Sequence, residues 1–232
     1  MDRFGEIWTD HPRVIDANWR AEARDDDVLL VVGDLSWAMT FDEAAEDIAW
    51  IDALPGTKVV IKGNHDFWWK SISKVRAAFG PTVHALQYDH VVIGGVAIVG
   101  TRGWQCPGSS GSADAIQAAE QAGAPSYSDA DRKLYEREVG RLKLALEKLE
   151  KSGDAYDEVI VILHYPPMNP DQEPSGFTDL LDAFGPTHLV HGHLHSAEWI
   201  ATAFEGKRAE TTYHCVSADA VAMSPRLILD KG

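Results

Sequence analysis

Residues 58–66 read Lys-Val-Val-Ile-Lys-Gly-Asn-His-Asp. A short Val/Ile run gives way to a glycine, and then to an amide, an imidazole and a carboxylate in succession. An unbroken apolar run of this length suits a strand covered on both faces. Working outward, the same construction recurs three times. Val28-Leu29-Leu30-Val31-Val32 leads into Gly33-Asp34, Val159–Leu163 into His164, and His188–His191 into Gly192-His193-Leu194-His195. Such runs alternate with helical patterns, which predicts layered α/β architecture.

The helices carry punctuation. Thr40 and Glu43 have capping-box spacing before a helix that Pro55-Gly56 ends, and another helix is predicted over 11–24. Ser128 and Asp131 open a helix over 129–152, closed by Gly153. Its stripe of Tyr135, Val139, Leu142, Leu146 and Leu149 reads as a face packed on its own sheet; two heptads are too few for a coiled-coil partner. Val91–Ile93 and Val96–Val99 flank Gly94-Gly95, a hairpin signal. Ala197–Phe204, Thr211–Val216 and Leu227–Leu229 are further expected strands, and the Gly/Ser/Ala-rich stretch at about 105–126 is an expected mobile loop.

The chain has 232 residues, 45% of them hydrophobic and 25% charged, which fits a single domain over 1–232 with a real core. Its net charge of −15 argues against long nucleic acid or an anionic membrane as partner. A small anionic substrate stays open if metals supply local positive charge. Two cysteines, Cys106 and Cys215, make no disulfide framework. The opening residues lack a basic and apolar leader, and the longest mostly apolar stretch, Val91–Gly100, is too short to span a bilayer. A soluble, cytoplasmic protein is the expectation.

Ligands of open α/β sheets bind beyond the carboxyl ends of the strands. Here those ends carry Asp34, Asn64, His65, Asp66, His164, His193 and His195. Carboxylate, amide oxygen and imidazole form a mixed N/O donor set suited to Mn, Fe or Zn. Taken singly, each piece has a plainer reading: Gly-Asp after a strand is commonly a turn or cap, and a lone histidine commonly packs. All four pieces in this order point to a metal-dependent site. Arg102, in Thr101-Arg102-Gly103-Trp104, is a candidate phosphate fork; its plainer reading is a surface arginine. Trp37, Trp68, Trp69 and Trp104 either wall a pocket or pack, and packing is favoured for most of them.

The order Gly33-Asp34, Gly63-Asn64-His65-Asp66, His164, Gly192-His193-x-His195 resembles the calcineurin-like metallophosphoesterase superfamily, over roughly residues 28 to 218. The segments Ser36-Trp37-Ala38-Met39, Asp66-Phe67-Trp68-Trp69 and Thr101-Arg102-Gly103-Trp104 resemble a bacterial branch of predicted phosphohydrolases. The resemblance implies a four-layer α/β/β/α sandwich of mixed sheets around a dinuclear centre of divalent or trivalent ions. Asp34 would bridge both ions, Asn64, His164 and His193 would complete one site, and His195 would contribute to the other. His65 would be the catalytic histidine, with Asp66 orienting its ring. The implied reaction is hydrolysis of a small phosphomonoester or phosphodiester by a metal-activated hydroxide.

The family pattern opens with a strand and Asp-x-His, which supplies two ligands to the first metal site. This sequence lacks it; Asp10-His11 has the wrong spacing. Losing about five buried apolar residues forfeits roughly 7–15 kcal/mol, against a usual domain stability of about 5–15 kcal/mol. The expectation is therefore that the fold is missing its first strand and that the natural product starts upstream of Met1. The alternative is a catalytically impaired binding or scaffold protein with one intact metal site. A third reading, a metal hydrolase of amides or lactones, fits the Asn-His pair and the strand order poorly.

Overall fold

The computed structural model describes residues 5–109 and 127–231. Helix α1 (His11–Glu22) precedes β1 (Val28–Val31), α2 (Ala45–Asp52), β2 (Thr57–Ile61), α3 (Ile72–Ala78) and β3 (Val83–Leu86). Strands β4 (Asp89–Ile93) and β5 (Val96–Thr101) follow, then α4 (Asp129–Ser152), β6 (Glu158–Leu163), α5 (Gly176–Phe184) and β7 (His188–His191). The short helix α6 (Ala197–Ile200) and strands β8 (Gly206–Arg208) and β9 (Thr211–Cys215) complete the order.

The strands form two sheets. One has the order β1-β2-β3 and is parallel throughout. The other, β4-β5-β6-β7-β9-β8, is mixed, with a parallel centre and antiparallel pairs at both edges. Alternation along each strand divides its side chains between two layers. Val59, Ile61, Ile98, Ile160, Ile162 and Val190 meet between the sheets. Val60 faces outward to Ile48, Ile51 and Val75 of α2 and α3. Ala97, Val99, Val161 and Leu189 face the other way, to Leu142, Leu146 and Leu149 of α4 and to Phe177 and Leu181 of α5. The result is the expected helix–sheet–sheet–helix sandwich.

The long helix starts where the sequence places it. The Ser128 hydroxyl accepts from Asp131 N, and the Asp131 carboxylate accepts from Ser128 N. The Thr40–Glu43 box also forms, with both reciprocal bonds at 3.3 Å, but it caps a turn and helix α2 begins at Ala45.

Three expectations need correction. Strand β1 is not covered on both faces: it is the edge of the three-stranded sheet, Val28 is exposed and the rest is half-buried. Ala197–Phe204 is not a strand; helix α6 and a turn take its place, with Ala201 N bonded to Ala197 O. Leu227–Leu229 forms no strand either, although Ile228 and Leu229 pack against the layer between the sheets. Of the expected loop at about 105–126, residues 110–126 lie outside the described residues. Cys106 is buried in the outer core. Among the described residues, no helix is long and apolar enough to cross a membrane.

Candidate active site

Both sheets present the carboxyl ends of their parallel strands to one edge, and the site is assembled there. Asp34 lies just beyond β1, Asn64 beyond β2, His164 directly after β6 and His193 two residues after β7. Nδ1 of His164 is 2.8 Å from Val32 O, which ties the second sheet to the first and directs Nε2 away from that bond. Nε2 is 2.6 Å from Oδ1 of Asn64, 3.1 Å from Nδ1 of His193 and 3.6 Å from Oδ2 of Asp34. Oδ1 of Asn64 is 2.9 Å from Nδ1 of His193. Four donors from four strand ends therefore converge on one point.

Backbone geometry makes this approach possible. Asp34 has φ 57° and His193 φ 73°, a left-handed conformation that non-glycine residues rarely adopt. Strain of this sort, about 1–3 kcal/mol per residue, persists where surrounding structure enforces it and clusters at functional sites. Gly33 is a close-approach position: a Cβ there would meet Gly63 N at 2.6 Å and His164 Nδ1 at 2.8 Å.

The two loops after β1 and β2 are joined by Asp66. Its fully buried carboxylate accepts from Asp34 N, Ser36 N, Gly63 N and Trp68 Nε1, at 2.7–3.1 Å. Burial and the nearby Asp34 charge push its pKa up to about 6, against the pull of these bonds. The ring of His65 stacks on Trp37, with centroids 4.1 Å apart and planes at 15°, while its backbone N–H donates to Asp34 Oδ1 at 2.8 Å. What the structure shows for Asp66 is loop joining; what it shows for His65 is a ring clamped against indole.

Burial holds the buried imidazoles neutral. His164 is pushed below the ordinary histidine range by burial, opposed by Asp34. His193 falls further, through burial and the surrounding imidazoles, and His191 falls to about 4. A neutral imidazole is the form that ligates metal. His195 stands apart from the four-donor cluster in one respect: its Nδ1 is 3.2 Å from Oδ1 of Asp219. Burial pushes the Asp219 carboxyl up, but bonds from His195 and Ser196 outweigh it and hold it below its ordinary value. Asp219 escaped the sequence reading, although it follows strand β9 in the way the other site residues follow theirs.

A cavity of about 800 Å³ opens over this cluster. Asp34, Asn64, His65, His193 and His195 line its polar end. Tyr165, Met168, Leu194, Trp199 and Phe204 are among the residues that make the rest largely apolar, with Glu198, Asn169 and Gln105 as polar exceptions. Burial raises the Tyr165 hydroxyl above its ordinary pKa, so it stays a neutral donor. Arg102 does not line this cavity: its guanidinium lies over Trp104, 4.5 Å from the ring centroid, and 3.7 Å from Glu138. Trp68 and Trp69 are core residues, and Trp37 is exposed, stacked on His65.

The donor chemistry fits one ion, with two imidazole nitrogens, one amide oxygen and one carboxylate oxygen. Among the described residues, no group of three or more His, Cys, Asp or Glu side chains is arranged to hold a metal ion; the Asn64 oxygen sits among the three charged or imidazole donors and is bonded to two of them. A second ion has only Asp34 and His195 of the expected ligands.

A family model described as calcineurin-like phosphoesterase matches residues 5–197. Among solved structures, a protein of unknown function from Aquifex aeolicus is similar, with 16% identity and a TM-score of 0.47 over 93% of this chain and 80% of that one. No curated protein matches the chain.

Proposed function

We propose, from the premise that this chain belongs to the calcineurin-like phosphoesterase family, that it hydrolyses a small phosphoester whose organic group is apolar or aromatic. The observation that carries this reading is the convergence of Asp34, Asn64, His164 and His193 beside a chamber whose other walls are mostly apolar, with Glu198, Asn169 and Gln105 among them. These four residues would hold an ion of Mn, Fe or Zn type. When bound, the ion supplies positive charge that polarises a phosphoryl oxygen.

The chain's own residues divide the remaining work. His65, at the polar end, is the proton donor to the departing oxygen, and the Trp37 stack fixes its ring. General-acid help of this kind contributes about 10²–10⁴ in rate. Tyr165 offers a protonated hydroxyl beside the phosphoryl position. Trp199, Leu194 and Phe204 take the ester's organic group, and a water attacking phosphorus opposite the departing oxygen forms the new P–O bond as the ester P–O bond breaks. Asp219 is a positioning residue: a carboxylate on one imidazole nitrogen fixes the tautomer that ligates through the other, and His195 would serve a second ion in that form.

One observation favours a second reading, a binding protein on this fold with one ion or none: among the described residues no group of three or more His, Cys, Asp or Glu side chains is arranged to hold a metal ion. Assay of aryl phosphomonoester and phosphodiester hydrolysis with Mn²⁺, Fe²⁺ or Zn²⁺ separates the two. Metal-dependent release of the aryl alcohol supports the enzyme. Ion binding without hydrolysis of either ester supports the binding protein, and hydrolysis confined to amides or lactones overturns both.

A further inference from the structure

We propose that a second cavity, between the ends of β2 and β5 and the face of α4, is a binding site for a phosphate-type dianion. No residue lines both this cavity and the candidate active site. Its volume is about 180 Å³. A liquid water takes about 30 Å³, so the space holds one tetrahedral oxyanion with a few waters and is too small for a nucleotide.

Five basic side chains, Lys62, Lys70, Arg102, Arg137 and Arg141, line it, in a chain whose net charge is −15. Against them stands one carboxylate, the fully buried Glu138. Three guanidiniums share its Oε1, at 2.7 Å from Arg141, 3.3 Å from Arg137 and 3.7 Å from Arg102. Its other oxygen accepts from the Thr101 hydroxyl at 3.1 Å. Lys62 donates to Trp69 O at 2.7 Å, and among the described residues neither lysine has a carboxylate within ion-pair distance.

One carboxylate neutralises one of these five charges. Gathering the rest around one hollow costs free energy, most for the half-buried Lys62, Arg102 and Arg141 and less for the exposed Lys70 and Arg137, because like charges repel more strongly where water is thin. Pairing with Glu138 accounts for Arg102, Arg137 and Arg141 but not for the two lysines. An oxyanion explains all five. The guanidiniums are also pre-set: Arg102 lies on Trp104, and Arg141 lies 5.1 Å from the Tyr88 centroid, so little side-chain freedom is lost on binding. Planar forks held in this way suit phosphate recognition.

The test uses the full chain, metal-free in chelator, titrated calorimetrically with inorganic phosphate and, separately, with glycerol phosphate at low salt. The expected result is one site per chain, weakened at least about tenfold in the double variant Lys70→Gln/Arg137→Gln and kept within about twofold in Lys70→Arg/Arg137→Lys. Tighter binding of glycerol phosphate assigns the site to a phosphorylated small molecule; tighter binding of phosphate assigns it to the free ion. The same affinity must survive in Asn64→Ala, which strips the candidate active site and not this one. Absence of binding up to about 10 mM overturns the proposal, as does binding that Asn64→Ala abolishes and the double variant leaves intact.

Discussion

Nε2 of His164 lies 2.6 Å from Oδ1 of Asn64, although the two residues are 100 positions apart and belong to different sheets. The contact requires both sheets in register and both strand ends at one edge. It is therefore a joint report on fold and site. Asn64→Ala is expected to weaken Mn²⁺ binding by about 10–100-fold while the fold persists, since donors within one cluster act together. Calorimetric titration with Mn²⁺, beside a far-ultraviolet dichroism spectrum, checks this.

His65→Ala is expected to lower kcat for an aryl phosphoester by about 10²–10⁴ with metal content unchanged, because the proposed role is proton transfer and not metal ligation; the ring stacks on Trp37. Trp37→Ala should lower kcat by a smaller factor through loss of ring positioning. Steady-state kinetics with elemental analysis of each variant decides; full activity in His65→Ala removes it from the reaction.

Gly33→Ala is expected to destabilise the protein by more than about 1–3 kcal/mol, because the new methyl meets Gly63 N and His164 Nδ1 in a backbone conformation that already disfavours a side chain. The melting temperature reads the change directly.

Asp66→Asn is nearly isosteric but turns an amide nitrogen toward N–H donors. Each oxygen accepts two of the four donors, and each donor left without an acceptor in a buried site costs about 1–3 kcal/mol, so chemical denaturation should show a loss of about 2–6 kcal/mol. The loops after β1 and β2, both held by this carboxylate, should show faster amide exchange in the variant.

Acid should weaken the fold through its buried neutral imidazoles. His191 has a folded pKa of about 4 against 6.5 in the open chain. The unfolded state then binds more protons between those values, so the stability tied to this group is complete above pH 6.5 and is lost as pH falls towards 4. A shift of that size corresponds to about 3 kcal/mol. His164 and His193 are displaced in the same direction. Urea denaturation of the metal-free chain at pH 7 and pH 4.5 should show the decline, and His191→Leu should make it shallower; its Nε2 has no hydrogen-bond partner to lose.

The strand ends were legible because apolar runs stop abruptly at glycine and polar residues, as at Ile61 and Gly63. The length of α4 was legible because Ser128, Asp131 and Gly153 mark both ends. Ala197–Phe204 misled because it is a short, mostly apolar run; its two polar residues, Glu198 and Thr202, stand four apart, and local bonding within Ser196–Ala203 selects a helix and turn. The exposure of β1 was hidden because burial on the second face depends on a neighbour that sequence pattern does not name. Arg102 turned toward α4 because Glu138, buried on that helix, competes for it. The basic cavity escaped notice because its residues come from four separate stretches, and Asp219 because no motif surrounds it.

The division of side chains between layers leaves no slack in the reading frame of the central strands. In β6, Ile160 and Ile162 face the other sheet while Val161 and Leu163 face the helices, and His164 follows one step later. Deleting any one residue before His164 within this strand would exchange the two faces and swing the imidazole through half a turn, away from Val32 O and Asn64. Compensation would need an insertion within the same few residues. Drift in this segment is thus confined to substitution, while the turns at its far end are free to change length.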